Sequence, residues 1–447
     1  MAGGASVETS RPRSRSPKGL GDKAVGAAGE LIVKVSLVSG TRLPDVHAEP
    51  CWSVLELKRL LAKHAEAPAS CQRLLLGART LDDAKTLAEE QLPSSTELTL
   101  VKVCPSPASL LGIEEDDPLL VSYLLSCRAE VGELGAGGES ALLLSAQRGL
   151  PSVCEAVLRC PDFALASAVD LELRTALHWA AEQGLAGVCE ALVQRPDFDS
   201  VDARDDSGST ALHLAAVCGH VAALKALENC ADLYVLNEYT ELGVTVLHVA
   251  AGSGHAGAVA VLLGLPEFRE AHRCDLEGRS ALHWAAQAGH LAACRALLDT
   301  SSFAAEGLVP DGLGCTPLHY AAEGGHGALC EELARRATSG QVAARKVVTG
   351  ETALHLAAAE GLVGACKVIL CRMSAEAPEA LRARGFDSMT LLHYAAVGGS
   401  ADVCRELLRE RADSSLQDAR GRTALDIAKL FSRSEVVAVL CGPGRSG

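Results

Sequence analysis

Residues 174–181 read RTALHWAA, and this eight-residue pattern recurs along most of the chain. The later copies are STALHLAA at 209–216, VTVLHVAA at 244–251, RSALHWAA at 279–286, CTPLHYAA at 315–322, ETALHLAA at 351–358, MTLLHYAA at 389–396 and RTALDIAK at 422–429. A degenerate copy, ESALLLSA, precedes them at 139–146, which makes nine. The steps between copies are 35 residues at first and then 36, 36, 38 and 33. Such a period predicts an array of stacked structural repeats.

The residues of each copy have a local physical reason. The Ser or Thr at its start can cap a helix by accepting a backbone N–H bond. The Ala pair permits close helix approach, and the following glycine, as in Gly219-His220, can end the helix in a left-handed conformation. A second apolar run, such as VCEALV at 188–193, then predicts a second helix. One such unit buries too little surface alone, so its stability comes from its neighbours.

The pattern resembles the ankyrin repeat, whose signature is Thr-Pro-Leu-His-x-Ala in a unit of about 33 residues. The resemblance covers residues 139–441. It implies a mainly α fold, in which two antiparallel helices and a β-turn per repeat stack into a curved solenoid. The terminal copies carry Leu143 and Asp426 where the others have His, as expected of capping repeats. Proline follows the Thr only at Pro317. We interpret Phe163, Phe198, Phe268 and Phe303 as anchors that hold the lengthened connectors against the stack.

Residues 31–103 follow another pattern. LIVKVSL at 31–37 alternates like a strand, Ser53 to Lys63 reads as an amphipathic helix, and 73–76 and 97–103 read as further strands. This order, with Gln72 to Val103 as the closest match, resembles ubiquitin and its α+β β-grasp relatives. The resemblance implies a docking face at Val38, Leu75 and Val101, which are all aliphatic here. The double-glycine tail that conjugation requires is absent, so the resemblance implies a built-in module.

The remaining segments are predicted as follows. Residues 1–30 form a disordered tail rich in Ser, Arg and Gly, which could be phosphorylated or act as a targeting signal. Residues 104–138 form a linker with a capping helix after Asp117-Pro118, and 442–447 form a flexible end. Residues 242–265 lack charged side chains over a length that could span a membrane, but their His and Gly residues belong to the repeat, so we expect no membrane insertion.

Composition narrows the classes of function. The formal net charge of −15 argues against nucleic acid as a ligand. The 17 cysteines come without a secretion signal or a C-x-x-C pair, so we expect reduced thiols in the cytoplasm, with the nucleus as an alternative. Eleven of the 14 histidines and six of the 17 cysteines recur at fixed places of the repeat, which indicates packing roles. We therefore predict no enzyme activity, no metal and no cofactor. Cys218 and Cys315 instead fall where the family exposes side chains, so each is a candidate reactive thiol.

Three functions remain open. The first is an adaptor, which binds a protein client through the repeats and a ubiquitin receptor or the proteasome through the ubiquitin-like domain. The second is a general scaffold without a link to the ubiquitin system, and the third is an enzyme with an unrecognised site. The resemblance places the client on the concave face, at Glu182, Gln183, Arg204, Asp206, Ser207, Ser209, Glu277, Arg279, Gln287, Glu323 and Glu360. Residues 104–447 hold 27 basic and 44 acidic side chains, which predicts a client with a basic or mixed-charge segment.

Overall fold

The computed structural model describes residues 31–93, 95–102, 134, 139–160, 163–230, 239–265, 268, 270–300, 308–373 and 377–442. The chain divides into two compact units, 1–103 and 104–447. The predictions for the tail at 1–30, the capping helix of the linker, Phe303 and residues 443–447 lie outside the described residues.

The first unit is a mixed five-stranded sheet with one helix packed on it. Its strands are β1 (Leu31–Leu37), β2 (Val46–Ala48), β3 (Gln72–Leu76), β4 (Arg79–Thr80) and β5 (Ser95–Lys102), in the order β2-β1-β5-β3-β4. Strands β1 and β5 are parallel, and the other neighbouring pairs are antiparallel. The helix α1 (Val54–Ala65) begins at a capping box, in which Ser53 Oγ accepts the Glu56 N–H at 3.2 Å. This is the β-grasp order that the sequence predicted.

Period-two alternation separates the two faces of this sheet. Val33 and Val35 of β1 and Leu98 and Leu100 of β5 are at most 1% exposed. They pack with Leu57 and other apolar residues of α1 in one core. The opposite face of the sheet carries no helix among the described residues of this unit, so alternate side chains of β1, β3 and β5 remain partly accessible there.

The second unit is a stack of paired helices. The described residues contain nine pairs, each formed by a first helix that starts in the recurring motif and a second helix that follows it. The first five pairs are α2 and α3 (Ala141–Gln147, Pro151–Leu158), α4 and α5 (Ala176–Glu182, Ala186–Val193), α6 and α7 (Ala211–Cys218, Val221–Cys230), α8 and α9 (Val246–Gly252, Ala256–Gly264), and α10 and α11 (Ala281–Gln287, Leu291–Leu298). The other four are α12 and α13 (Pro317–Glu323, Gly327–Arg336), α15 and α16 (Ala353–Ala359, Val363–Arg372), α18 and α19 (Leu391–Gly398, Ala401–Arg409), and α20 and α21 (Ala424–Leu430, Ser434–Cys441). Two short helices, α14 (Ser339–Val342) and α17 (Ala377–Arg382), lie in connectors.

The glycine prediction is confirmed, and the capping prediction is confirmed at Ser140 and Thr423, whose side chains accept the backbone N–H groups of Leu143 and Asp426. Thr210 stands at the N-cap of α6, and the helix ends at Gly219 with φ +73°, in the left-handed region. The backbone N–H groups of Gly219 and His220 both return to carbonyls of the last turn. This exit reverses the chain within two residues and starts the second helix antiparallel to the first.

Small and aliphatic side chains fill the junctions between repeats. Both alanines of the motif are buried in repeat after repeat, as in Ala285 and Ala286, which are fully buried. The connector phenylalanines Phe163, Phe198 and Phe268 are at most 8% exposed, which confirms the anchoring interpretation for the three that the structure describes.

The uncharged stretch at 242–265 is not one long helix. It contains a turn, α8, a second turn and α9. No helix within the described ranges has the length and apolar character that a membrane span requires. The uncharged stretch therefore comprises two short apolar helices in succession.

Candidate interaction surfaces

Six of the seven motif histidines connect their repeat to the next one, and His319 is the exception. The Nδ1 atom of His283 accepts the backbone N–H of Ser280 at 3.1 Å, and Nε2 lies 3.1 Å from the carbonyl oxygen of Cys315, in the following turn. Since Nδ1 is the acceptor, the proton resides on Nε2 and is donated to that carbonyl. The same arrangement holds at His248, whose Nε2 lies 2.9 Å from the Arg279 carbonyl oxygen. Each such ring joins a helix start to the neighbouring repeat.

These histidines are poor candidates for acid–base catalysis. Burial lowers the pKa of His213, His283, His319 and His355 to about 4. The rings of His213, His283 and His355 are hydrogen-bonded at both nitrogens and are at most 2% exposed, so they have no free position for a substrate proton. The Nε2 atom of His319 has no hydrogen-bond partner among the described residues, but this ring is 1% exposed, so a substrate cannot reach it. In the last repeat Asp426 replaces the histidine and makes the same cap, accepting the Thr423 N–H at 2.9 Å.

The recurring cysteines occupy a buried column in the second helices. Cys294, Cys330 and Cys366 are fully buried, and burial raises the pKa of each thiol to about 12. Leu224 and Val259 take the same place in other repeats and are equally buried. These side chains therefore pack the second helices against their neighbours, as the sequence indicated.

The prediction of a reactive thiol is wrong for Cys315. This side chain is 5% exposed, and burial raises the pKa of its thiol to about 11. Three other repeats place an arginine here, and the guanidinium carbon of Arg279 lies 5.3 Å from the centroid of the Trp284 ring in the first helix. A short side chain at this position is covered. Cys218 is half-buried, and burial raises its thiol pKa as well, which removes the thiolate character that reactivity needs.

The aromatic residue after the histidine is tied to the turn by an aspartate. Trp284 Nε1 donates to Asp275 Oδ2 at 3.0 Å, and Asp275 Oδ1 accepts the backbone N–H of Arg279 at 2.8 Å. Burial alone would raise the pKa of Asp275, but the hydrogen bonds from Trp284 and Arg279 lower it. Trp179 and Tyr320 repeat the bond to their own aspartates at 2.8 Å. These rings are only half-buried, so their role is not core packing alone: their hydrogen bonds hold the turn in place.

Three of the acidic residues predicted to face a client have a basic partner within the array, among them Glu277, which lies 3.2 Å from Arg279 Nε. Glu182 lies 3.1 Å from Arg174 Nη1, and Glu323 lies 2.9 Å from Lys346 Nζ. A carboxylate paired in this way contributes less to a negative surface potential. Glu360, on the same set of first helices, is exposed.

The predicted turn residues and glutamines also fall on accessible positions. Arg204 donates from Nη1 to the Tyr239 carbonyl oxygen at 2.8 Å, and Arg279 lies 3.2 Å from the exposed Glu277. Gln287 lines a shallow depression of about 290 Å³ with Trp284, Val249 and neighbouring backbone. The other predicted residues of this face are exposed or half-buried: Gln183, Asp206, Ser207 and Ser209. Turn tips and first helices therefore both carry accessible side chains.

In the first unit, the three aliphatic residues implied as a docking face lie at one end of the uncovered sheet face. Leu75 of β3 pairs with Thr99, and Val101 of β5 pairs with Arg73, so Leu75 and Val101 are diagonal neighbours. Val38 follows directly after β1, at the same end, and is 70% exposed. Leu75 and Val101 are half-buried.

Comparison with known proteins agrees with this architecture. A family model of ankyrin repeats, in units of three copies, matches overlapping segments from 111–202 to 354–446. The chain belongs to the ankyrin-repeat family. The ubiquitin family model matches residues 33–102. A crystal structure of the ankyrin repeat domain of Bcl-3, described as a unique member of the IkappaB protein family, is 25% identical, with 53% of this chain and 100% of that chain covered and a TM-score of 0.42.

The ankyrin array and the ubiquitin-like domain are both known as protein-interaction folds, so the chain is an interaction scaffold in outline. Within the described parts of the chain, no group of three or more His, Cys, Asp or Glu side chains is placed to hold a metal ion.

The ankyrin turns present one feature that sequence reasoning missed. Their outermost residues are often apolar and exposed, as at Leu171, Leu276 and Val348, which are 90%, 76% and 85% exposed. The signal was visible in the sequence as an apolar residue inside successive turns, where polar and glycine residues are usual. It was overlooked because turn residues follow no helix or strand period.

Proposed function

We propose that this chain is a non-catalytic adaptor. The ankyrin array holds a protein client, and the ubiquitin-like domain docks a second partner, a ubiquitin receptor or a proteasomal subunit. The observation that carries the proposal is the grouping of Val38, Leu75 and Val101 at one end of an uncovered sheet face. Aliphatic side chains left accessible together on a small domain favour a docking site.

The border of this patch indicates what the partner offers. Arg73 pairs directly with Val101 across the strands, and Lys102 follows Val101; both are exposed. An apolar centre with a cationic edge suits a partner whose apolar surface is flanked by Asp or Glu. The chain continues past Val103, which supports a docking role over conjugation.

For the client, the ion pairs favour the mixed-charge alternative. Glu182 and Glu323 already have basic partners on the array, so a purely basic client would have to displace them. A segment with both signs can meet Arg174 and Glu182 together. The acidic excess of residues 104–447 supports a protein client over nucleic acid, and we expect these encounters in the cytoplasm, with the nucleus as the alternative.

The ubiquitin-system link is tested with the full chain and purified 26S proteasome, together with a panel of purified ubiquitin receptors. Loss of an apolar hot spot costs about 2 kcal/mol or more, so L75D is expected to weaken binding by about 30-fold or more. The matched control is L60D, because Leu60 is 51% exposed on α1, away from the patch. If the wild-type chain binds none of these proteins, or if L60D weakens binding as much as L75D, the proposed link fails and the general scaffold remains.

The client side is tested by mass spectrometry of proteins that copurify with the full chain. Reversing Glu182, Glu323 and Glu360 to Lys is expected to reduce capture of the client at low salt. Replacing the same three residues with Gln removes charge without reversing it and is expected to have a smaller effect. Equal capture by all three proteins would leave the acidity with a role in solubility alone.

A further inference from the structure

The last repeat of the array leaves an apolar surface open. Three columns of apolar side chains run through the stacked repeats, one in the first helices and two in the second helices. In the first eight repeats their members are at most 2% exposed, as at Leu392, Cys404 and Leu407. In the last repeat the same columns end at residues that are only half-buried, Leu425, Val437 and Leu440. Leu430, on the same helix as Leu425, is 63% exposed. We call Leu425, Leu430, Val437 and Leu440 the end face.

Three kinds of contact join neighbouring repeats inside the array. The motif histidine donates to a carbonyl of the following turn, as His393 Nε2 does to the Arg422 carbonyl oxygen at 2.9 Å. The following turn donates a backbone N–H in return, as Leu276 does to the Leu242 carbonyl oxygen at 3.0 Å. The second alanine of the motif, such as Ala396, is fully buried and permits close approach of the helices. A further repeat on the end face would need the same contacts.

The last repeat replaces two of these joining residues with charged ones. Asp426 stands where seven of the other repeats have the histidine, and Lys429 stands where all eight have the buried alanine. An ionised carboxylate only accepts hydrogen bonds, so Asp426 cannot donate to the carbonyl of a following turn. A lysine side chain is also too large for a position at which helices approach over an alanine. The end face is therefore apolar but unsuited to another ankyrin repeat.

The opposite end of the array offers no matching surface in its first helix. Residues 141–146, which make up most of α2, are at most 3% exposed. A head-to-tail contact between two copies would therefore set the end face against a helix without accessible apolar side chains. The end face of a second copy is apolar in the same way, and a contact between two identical surfaces closes about a two-fold axis.

Charges beside the end face make it complementary to itself. Asp426 and Lys429 are exposed on α20. Arg422, in the preceding turn, is already paired with Asp418 at 2.7 Å, whereas neither Asp426 nor Lys429 belongs to an ion pair among the residues that the structure describes. When two α20 helices lie antiparallel across a two-fold axis, residue 426 of each faces residue 429 of the other. Two Asp–Lys pairs then flank an apolar centre, as is typical of a protein interface.

We propose that two copies of this chain associate through the end face, with Asp426 of each copy opposite Lys429 of the other. The inference goes beyond the adaptor role and does not depend on it, because neither a client nor a ubiquitin receptor takes part. The associated pair presents two arrays and two ubiquitin-like domains, which strengthens binding to any partner that carries two matching sites.

Sedimentation equilibrium of the full chain measures the association. Small interfaces are weak, so the chain is studied at concentrations up to about 200 µM. We expect the average mass to rise from 46.3 kDa, the mass of one chain, towards twice that value. K429E sets like charges against each other twice in the pair, so it is expected to weaken association by about tenfold or more. L430D places a charge in the apolar centre and is expected to weaken it by about tenfold or more.

A mixture of two variants tests the pairing of charges directly. D426K alone sets lysine against Lys429 and is expected to weaken association as K429E does. When D426K is mixed with K429E, both contacts again join opposite charges, so the mixture is expected to associate within about threefold of the wild-type affinity. The Thr423 hydroxyl accepts the backbone N–H of residue 426 at 3.3 Å, so D426K keeps half of the capping box. Circular dichroism melting checks that each variant folds, and K429E and L430D do not alter the cap.

The matched control is L242D, because Leu242 is 65% exposed on a turn of another repeat, and we expect it to associate like wild type. A wild-type chain that stays monomeric over the whole range would overturn the proposal. So would association of K429E and L430D that equals wild type, or a mixture of K429E and D426K that associates no better than either alone. A monomeric wild type whose copurifying client is lost in L430D would assign the end face to another protein, with the adaptor role intact and the association refuted.

Discussion

Replacing His283 with Ala or with Gln separates the two contributions of the motif histidine, its hydrogen bonds and its protonation. The ring accepts the Ser280 N–H and donates to the Cys315 carbonyl oxygen, both at 3.1 Å. Alanine removes both bonds and leaves a buried donor and a buried acceptor without partners. Glutamine can cap Ser280 as the third residue of a capping box, and its amide can reach the same carbonyl, but it does not titrate.

The expected losses follow from those contacts. An unsatisfied buried polar group costs about 1–3 kcal/mol, so H283A is expected to lower the free energy of unfolding by about 2–5 kcal/mol. H283Q keeps both kinds of bond and is expected to lose about 1 kcal/mol. Urea titrations at pH 7 measure both values by fluorescence, to which Trp284, next along the chain, contributes together with Trp52 and Trp179. Because repeat arrays unfold in stages, the fluorescence transition is compared with circular dichroism of the whole chain.

Acid adds a second, independent prediction about the same residue. The folded-state pKa of His283 is about 4, below its ordinary value of about 6.5. The unfolded chain therefore binds more protons, and the stability that this residue contributes above pH 6.5 is lost as the pH falls towards 4. At about 1.4 kcal/mol per pH unit, wild type loses about 2 kcal/mol more than H283Q between pH 6.5 and pH 5. If H283A were as stable as wild type at pH 7, or if the gap between H283Q and wild type did not narrow in acid, the assigned hydrogen bonds and protonation state would be wrong.

Three further predictions concern single positions. Gly278 has φ +80°, and an added Cβ would lie 2.8 Å from the backbone nitrogen of the next turn. The free energy of unfolding of G278A is therefore expected to fall by more than the about 1–3 kcal/mol that left-handed strain alone costs. The control is G421A, at φ +72° with open space around the added Cβ, which should lose only the strain energy when both variants are melted. Asp205 Oδ2 is buried without a hydrogen-bond donor, and Leu214 stands where other repeats supply the Trp or Tyr that donates to this aspartate. Because the indole N–H of L214W could make that bond, L214W is expected to raise the free energy of unfolding by about 1 kcal/mol. A lower midpoint in urea would contradict this. Cys315 should resist iodoacetamide at pH 8 until the chain is denatured, as judged by peptide mass spectrometry, and rapid native labelling would show that the side chain is accessible.

The sequence was sufficient for the features that depend on local spacing. A Ser or Thr three residues before His fixes both the helix start and the cap, so the first helices could be located from residues such as Thr210 and His213. The column of Cys, Leu and Val predicted burial because one position accepted all three. The β-grasp domain was recognisable because each strand alternates with period two.

Features that depend on the neighbouring repeat could not be obtained in this way. Leu242 and Val244 are both apolar and two residues apart in one turn, yet they are 65% and 7% exposed. The difference arises because the position before the motif Thr folds back over the first helix while the tip projects outward. The pairing of Glu323 with Lys346, 23 residues later, likewise follows from stacking and not from any local pattern.

The hydrogen bonds between successive tips use backbone groups alone, and this separates what holds the array together from what a partner contacts. The Leu276 N–H reaches the Leu242 carbonyl oxygen whatever side chain stands at either position. Tip residues can therefore diverge, or be randomised in a library, one turn at a time while the scaffold keeps its fold. The array is therefore suited to grafting: the side chains at the turn tips can be replaced to change binding specificity with little effect on the melting temperature.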